Sequence, residues 1–163
     1  MKEIKIEKVT LNIGCAGDQK KIEKASRLLQ LLTEQKPVVT KSKTRSTFGI
    51  SIGKPVGTMV TLRRQKAADF LKRVLQSTGN KLSASQLDSQ GNLNIGIKEY
   101  IDLPGIKYVH DIGMLGLDVA VTLKRAGYRV KLRHVQKGNI SKKHSINKVD
   151  AVEWLKGQGV KIE

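Results

Sequence analysis

Residues 35–64, QKPVVTKSKTRSTFGISIGKPVGTMVTLRR, limit the possible folds more than any other part of the chain. The stretch carries Lys36, Lys41, Lys43, Arg45, Lys54, Arg63 and Arg64, and no Asp or Glu. Its apolar residues come in short, mostly β-branched runs (Val38, Val39, Ile50, Ile52, Val56, Val60, Leu62) broken by Gly49, Gly53, Pro55 and Gly57. Alternation of this kind predicts an antiparallel hairpin with one face toward a core and the other toward water. The outward positions then hold cations, hydroxyls and one ring, Phe48. Such a face suits phosphate.

The whole chain shares this bias. Its 31 Lys and Arg stand against 14 Asp and Glu, a net charge of +17. A body so charged repels itself, and a polyanion relieves the repulsion. RNA or DNA is the first expectation and an anionic membrane the second. With 163 residues the chain is expected to form one domain, 1–163, with a core that needs no staples. The lone Cys15 excludes an internal disulfide and reads as a buried, inert thiol in a reducing compartment. The opening MKEIKIEKV alternates charge with Ile and is not a signal peptide. No apolar run approaches the ~20 residues of a membrane span. The expectation is a soluble, cytoplasmic protein.

Along the chain, residues 3–14 alternate as a first strand, and the change of parity between Ile6 and Val9 suggests a bend or bulge. Asp18 is a candidate helix N-cap. Ile22, Ala25, Leu28, Leu29 and Leu32 recur at helical spacing over 19–34, and Pro37 forces the helix to stop. After the basic hairpin, residues 65–78 form a second amphipathic helix that ends at Gly79-Asn80. Residues 82–91 read as loop, 92–101 as a strand, 103–116 as a long irregular loop and 117–123 as a strand. Residues 124–144 hold eight Lys or Arg and no acid, which predicts a basic arm or loop ordered only on a partner. Residues 146–156 resume a helical pattern with Val149, Val152 and Leu155 on one side and Trp154 beside them. The predicted class is α+β, an antiparallel β-sheet with helices packed on one face.

Enzymatic motifs fail on inspection. Gly49-x-x-x-Gly53-Lys54-Pro55 is one residue short of a P-loop and has proline where the magnesium-binding hydroxyl must stand, so it reads as a hairpin turn. Gly14-x-x-Gly17 resembles a GXXG clamp but follows a strand rather than joining two helices. His110, His134 and His144 are far apart in sequence, and one cysteine leaves no ligand set for structural zinc. Asp102, Asp111 and Asp118 read as turn and cap residues. No cofactor, metal or catalysis is expected. Aromatics are only 4% of the chain, too few for a row of base-stacking rings. Phe48 either stacks on a base or caps the hairpin core. Cations and hydroxyls on a rigid sheet suit a folded RNA read by shape, phosphate and 2′-OH.

At this point the sequence resembles a known family, the ribosomal protein L5 family of the large subunit, whose members hold 5S rRNA. The resemblance is carried by LLQLLTEQKPVVTKSKTR (28–45), TFGI (47–50) and VTLR (60–63), with KVTLNIG, IKEYIDLPGIKY and GMLGLDVAVTLKRAGY in family order. The tail KGNISKKHSINKVDAVEW is similar to the archaeal and eukaryotic branch. The resemblance implies an RNA-binding outer sheet surface, with Asn12, Gln35, Phe48 and Thr61 at the recurrent contact positions and Lys36, Lys41, Lys43, Arg45 and Arg63 supplying charge. It implies a hairpin tip (Ser51, Gly53, Lys54, Pro55, Gly57) that faces peptidyl-site tRNA. A loop with Lys107, Tyr108, His110 and Asp111 would face a small-subunit head protein. Large-subunit rRNA and neighbouring ribosomal proteins complete the implied partners, with no membrane. Two departures stand out: Ser51-Ile52 replace basic residues common after the FGI motif, and Glu34 stands where relatives commonly have Gly. The alternative function is a free-standing RNA chaperone or mRNA-binding regulator.

Overall fold

The alternation that opens the chain becomes strand β1, Ile4–Gly14, with Val9, Leu11 and Ile13 buried and Asn12 exposed. A computed structural model describes residues 1–47 and 49–162. After β1 come helix α1 (Gln19–Thr33), β2 (Val38–Lys41), β3 (Pro55–Leu62), α2 (Arg64–Ser77), β4 (Lys81–Leu82), β5 (Leu93–Ile97) and β6 (Leu117–Arg125). A short helix α3 (Arg129–Leu132), helix α4 (Lys148–Gly157) and β7 (Lys161–Ile162) complete the order. Five strands form an antiparallel sheet in the order β2-β3-β1-β6-β5, and β4 and β7 pair separately in parallel. The class is α+β, as the patterns predict. The chain groups into two compact units, one of Thr10–Leu62 and Ile95–Ala120, the other of Met1–Val9, Arg63–Asn94 and Val121–Glu163.

In the first unit, α1 starts where Asp18 accepts the N–H groups of Lys20 (3.0 Å) and Lys21 (3.5 Å), and it packs its apolar stripe against β3. Ile22, Ala25, Leu28, Leu29 and Leu32 of α1 are buried, as are Val60 and Leu62 of β3. Each large aliphatic side chain removed from water in this way contributes roughly 1.5–3 kcal/mol. Cys15 is buried, and burial pushes its thiol pKa up, with Asp18 adding to the shift and Lys21 opposing it. The irregular stretch after β5 is pinned by Tyr100, which is fully buried; its hydroxyl accepts the Val109 N–H (3.0 Å) and its own N–H donates to Leu115 O (3.2 Å).

In the second unit, α2 buries Ala67, Phe70, Leu71, Val74 and Leu75. Arg125, at the end of β6, pairs with Asp150 (3.1 Å) and donates to the carbonyls of Lys2 (3.1 Å) and Ser145 (3.3 Å). One guanidinium thus ties three separate pieces of chain, which a lysine could not do with the same geometry.

Several expectations need correction. Val38 and Val39 are exposed, because β2 is the edge strand of the sheet, and Ile52 is exposed in the loop that follows. The stretch 82–91 is not all loop: β4 reaches Leu82, and a 3-10 turn occupies Ala84–Gln86. A two-residue strand shows no periodicity, and its partner β7 lies some eighty residues further along the chain. The basic segment is not a free arm. It contains α3, the Tyr128 hydroxyl accepts the Ile146 N–H (2.8 Å), and the His144 ring bonds Ala126 O (2.8 Å). In α4 the buried pair is Ala151 and Leu155, while Val149 is 68% exposed. Asp118 lies on β6 rather than in a turn.

The C-cap of α1 is Glu34, whose N–H reaches Gln30 O (2.8 Å) with φ at 54°, a left-handed conformation. Glycine adopts it without the clash of a Cβ with the neighbouring carbonyl. Relief of a left-handed clash of roughly 1–2 kcal/mol outweighs the ~0.4–1 kcal/mol cost of glycine's freer unfolded chain. Glu34→Gly is therefore expected to stabilise the fold modestly and Glu34→Val to destabilise it, as measured by urea midpoints.

Candidate nucleic-acid interface

The packing of the first unit decides which side chains are left facing outward. Because Leu11 and Ile13 turn inward, Asn12 between them faces away from the core and is exposed. On the neighbouring strand, Val60 and Leu62 turn inward and Thr61 outward, where it is half-buried. β2 pairs with β3 in the register Val38 to Met59, and continuing that register by two residues brings Lys36 level with Thr61. Gln35 follows the left-handed Glu34, donates its N–H to Thr33 Oγ1 (3.4 Å), and is half-buried. Asn12, Thr61 and the Gln35-Lys36 corner therefore lie on β1, on β3 and on the run into β2, three neighbours in one sheet.

Around them, Lys36, Lys41, Lys43 and Arg45 are all exposed. No carboxylate lies within ion-pair distance of any of them among the described residues. The loop of residues 42–54 that carries Lys43 and Arg45 is closed by its own backbone. Ser42 N–H donates to Lys54 O (2.9 Å), Gly53 N–H to Ser42 O (2.9 Å) and Ser46 N–H to Ile50 O (3.0 Å). Uncompensated cations on a self-braced loop raise the local concentration of anions, and the amide and hydroxyl beside them can donate to and accept from a base edge or ribose. Phe48 lies outside the described residues. Arg63, the exposed N-cap of α2, belongs to the second unit.

The hairpin tip is shorter than the sequence suggests. Ser51, Gly53 and Lys54 are exposed, but Pro55 opens β3 and Gly57 is buried within it. A Cβ on Gly57 would lie 2.5 Å from Ile13 O, so that glycine serves the close approach of two backbones rather than a turn. Lys54 folds back, its Cε only 3.1 Å from where a Cβ on Gly17 would stand. The long loop presents Lys107, Tyr108, His110 and Asp111, all exposed, with the Tyr108 and His110 rings edge to face at 6.5 Å. Among the described residues no group of three or more His, Cys, Asp or Glu side chains could hold a metal, and no helix is long and apolar enough to cross a membrane.

The fold and this surface define a class: a small basic α+β protein with exposed cations gathered along one sheet region. Comparison with known families is specific. Residues 1–50 match the model of ribosomal protein L5, and residues 55–154 match the model of that ribosomal family's C-terminus. The chain belongs to the ribosomal protein L5 family, in its archaeal form. It is 44% identical to the large ribosomal subunit protein uL5 of Sulfurisphaera tokodaii, over 96% of this chain and 89% of that one. It is 43% identical to the protein of the same name from Archaeoglobus fulgidus, over 100% of this chain and 92% of that one. With the Nanoarchaeum equitans protein of that name it shares 43% identity, over 99% and 97% of the two chains.

The geometry at Gly57 separates a packing role from a contact role. Gly57→Ala is expected to destabilise the fold by about 1–3 kcal/mol through overpacking against Ile13, whereas Ser51→Ala at the exposed tip stays within ~0.5 kcal/mol. Denaturant titration of the two variants checks both.

Proposed function

We propose that this chain is a structural, non-catalytic constituent of the large ribosomal subunit, located on the ribosome in the cytoplasm, that binds 5S rRNA in the central protuberance. Family membership supports the ribosomal role, since the relatives it aligns with end to end carry the name of a large-subunit protein. The observation that carries the RNA reading is the outward Asn12 and Thr61 set beside exposed cations with no acidic partner among the described residues. Asn12, Gln35 and Thr61 meet base edges and 2′-OH groups, and Phe48, at a position matching the family's recurrent contacts, stacks on a base. Lys36, Lys41, Lys43, Arg45 and Arg63 neutralise phosphate. Division of labour of this kind, with charge for affinity and neutral polar groups for fit, is how folded RNA is distinguished from any polyanion.

The tip at Ser51, Gly53 and Lys54 approaches peptidyl-site tRNA, and the loop with Lys107, Tyr108, His110 and Asp111 meets a small-subunit head protein across the subunit interface. The tRNA contact is a light one, because Lys54 is the tip's one charge and leans over Gly17. Large-subunit rRNA and adjacent ribosomal proteins are the remaining partners.

Sedimentation in high salt is the first test. A subunit constituent co-migrates stoichiometrically with large subunits, whereas a free-standing RNA chaperone or mRNA regulator stays at the top of the gradient. In binding assays, Asn12→Ala or Gln35→Ala is expected to weaken 5S rRNA binding by about 1–3 kcal/mol through unpaired polar partners. Wild-type affinity in both variants would place the contact elsewhere. Lys41→Ala is expected to weaken all RNAs alike and to flatten the slope of log K against log salt by roughly 0.7–0.9.

A further inference from the structure

A second concave, cationic feature lies wholly within the unit of Met1–Val9, Arg63–Asn94 and Val121–Glu163. A groove of about 610 Å³ is bounded by Glu7 and Lys8 of β1, Thr122 and Leu123 of β6, and the basic segment that carries Tyr128, Lys131 and Lys142. That volume falls in the ~300–1,000 Å³ range of sites that enclose a small ligand. Nothing in the hairpin surface uses it.

The lining says which ligand fits. Lys8, Lys131 and Lys142 face the groove against one acid, Glu7, and among the described residues none of the three lysines makes an ion pair. The charged part of the ligand is therefore an anion. The walls are not only charged: Leu123, Leu132 and Tyr128 line them, and Leu132 is 67% exposed. Tyr128 is held in place, with its hydroxyl accepting the Ile146 N–H at 2.8 Å and its ring edge to face with His144 at 6.0 Å. A ring fixed before binding costs no ordering when a flat group lands beside it. Gln90 and Asn139 bring side-chain amides with no hydrogen-bond partner among the described residues. Asn92 uses its amide nitrogen on Asp88 (2.7 Å) and keeps its carbonyl oxygen. Paired donors and acceptors of this type read the edge of a base. Inorganic phosphate would leave the apolar wall unused, and an acidic peptide would leave both the wall and the amides unused.

We infer that this groove takes one unstacked nucleotide, with its base against Tyr128 and Leu132 and its phosphate on the ammonium groups of Lys8, Lys131 and Lys142. Flanking phosphates of a strand would run over Arg129, Lys137 and Lys143, which are exposed on the same segment. The inference rests on the reading of this chain as an RNA-binding protein, but not on which RNA its hairpin face holds.

The test uses the full chain and a short single-stranded RNA with one 4-thiouridine at its centre, irradiated and mapped by mass spectrometry. Adducts are expected within residues 128–142. Lys131→Glu combined with Lys142→Glu, both exposed, should lower affinity about tenfold through lost phosphate contacts. Leu132→Ser leaves the charge unchanged and should still lower affinity roughly fivefold, as loss of a base-packing surface does. AMP added as competitor separates the sources: displacement of the RNA marks a free-nucleotide site, and its failure marks a nucleotide within a strand. Adducts confined to residues 35–64, or an indifferent Leu132→Ser, would overturn the inference. So would displacement by polyglutamate as effective as by RNA, which would make the ligand an acidic peptide. Binding of 5S rRNA is measured in parallel. Its loss with the groove adducts retained sinks the hairpin assignment alone, and the reverse outcome sinks the groove alone.

Discussion

Everything on the hairpin surface depends on the two-residue period of β1 and β3. Once Leu11 and Ile13, and Val60 and Leu62, are committed to the core, the side chains between them have one direction left. A slip of one residue would carry Asn12 inward and leave the leucine in water, an exchange that costs several kcal/mol between lost apolar burial and an unpaired amide. Core packing therefore fixes the polar face as firmly as any direct contact could. The glycine at position 57 belongs to the same arrangement, because it lets β3 close on Ile13 O without displacing either backbone.

The second governing feature is charge left unbalanced. The described ion pairs are few and local: Glu3 with Lys5 on the surface, and Arg125 with Asp150, where one guanidinium also gathers three carbonyls. Surface pairs of the first kind add little to stability. Among the described residues the hairpin and the segment around α3 have no such compensation, so an external anion at either place would relieve repulsion. Each is nevertheless closed by internal hydrogen bonds, Ser42 N–H to Lys54 O in one and Ile146 N–H to the Tyr128 hydroxyl in the other. Charge is thus presented on pre-shaped loops, which reduces the ordering cost of association.

Much of this was legible in the sequence wherever one face of an element is buried and the other wet. Val9, Leu11 and Ile13 disclosed β1 and with it the direction of Asn12, and the stripe from Ile22 to Leu32 disclosed α1 with its Asp18 cap. The failures have physical causes. Val38 and Val39 look like core residues but sit on an edge strand, where β-branching serves backbone shape rather than burial. β4 and β7 are too short to display a period and pair across most of the second unit's sequence. Gly57 looked like turn chemistry but answers to interstrand distance. In α4 the short apolar side chain of Ala151 marks the buried line that Val149 seemed to mark. The groove beside Tyr128 was hidden because its walls come from β1, β6 and a segment whose only sequence signal was charge.

The central claim is that the hairpin face fits one folded RNA and not polyanions in general. Competition measures it most directly: purified chain bound to labelled 5S rRNA, challenged by unlabelled 5S rRNA or by an unrelated duplex RNA of equal length, over a series of rising salt concentrations. A shape-matched face predicts that 5S rRNA remains the stronger competitor throughout and that its advantage grows as salt weakens the shared phosphate term. Equal competition by the two RNAs at every salt concentration would contradict the account.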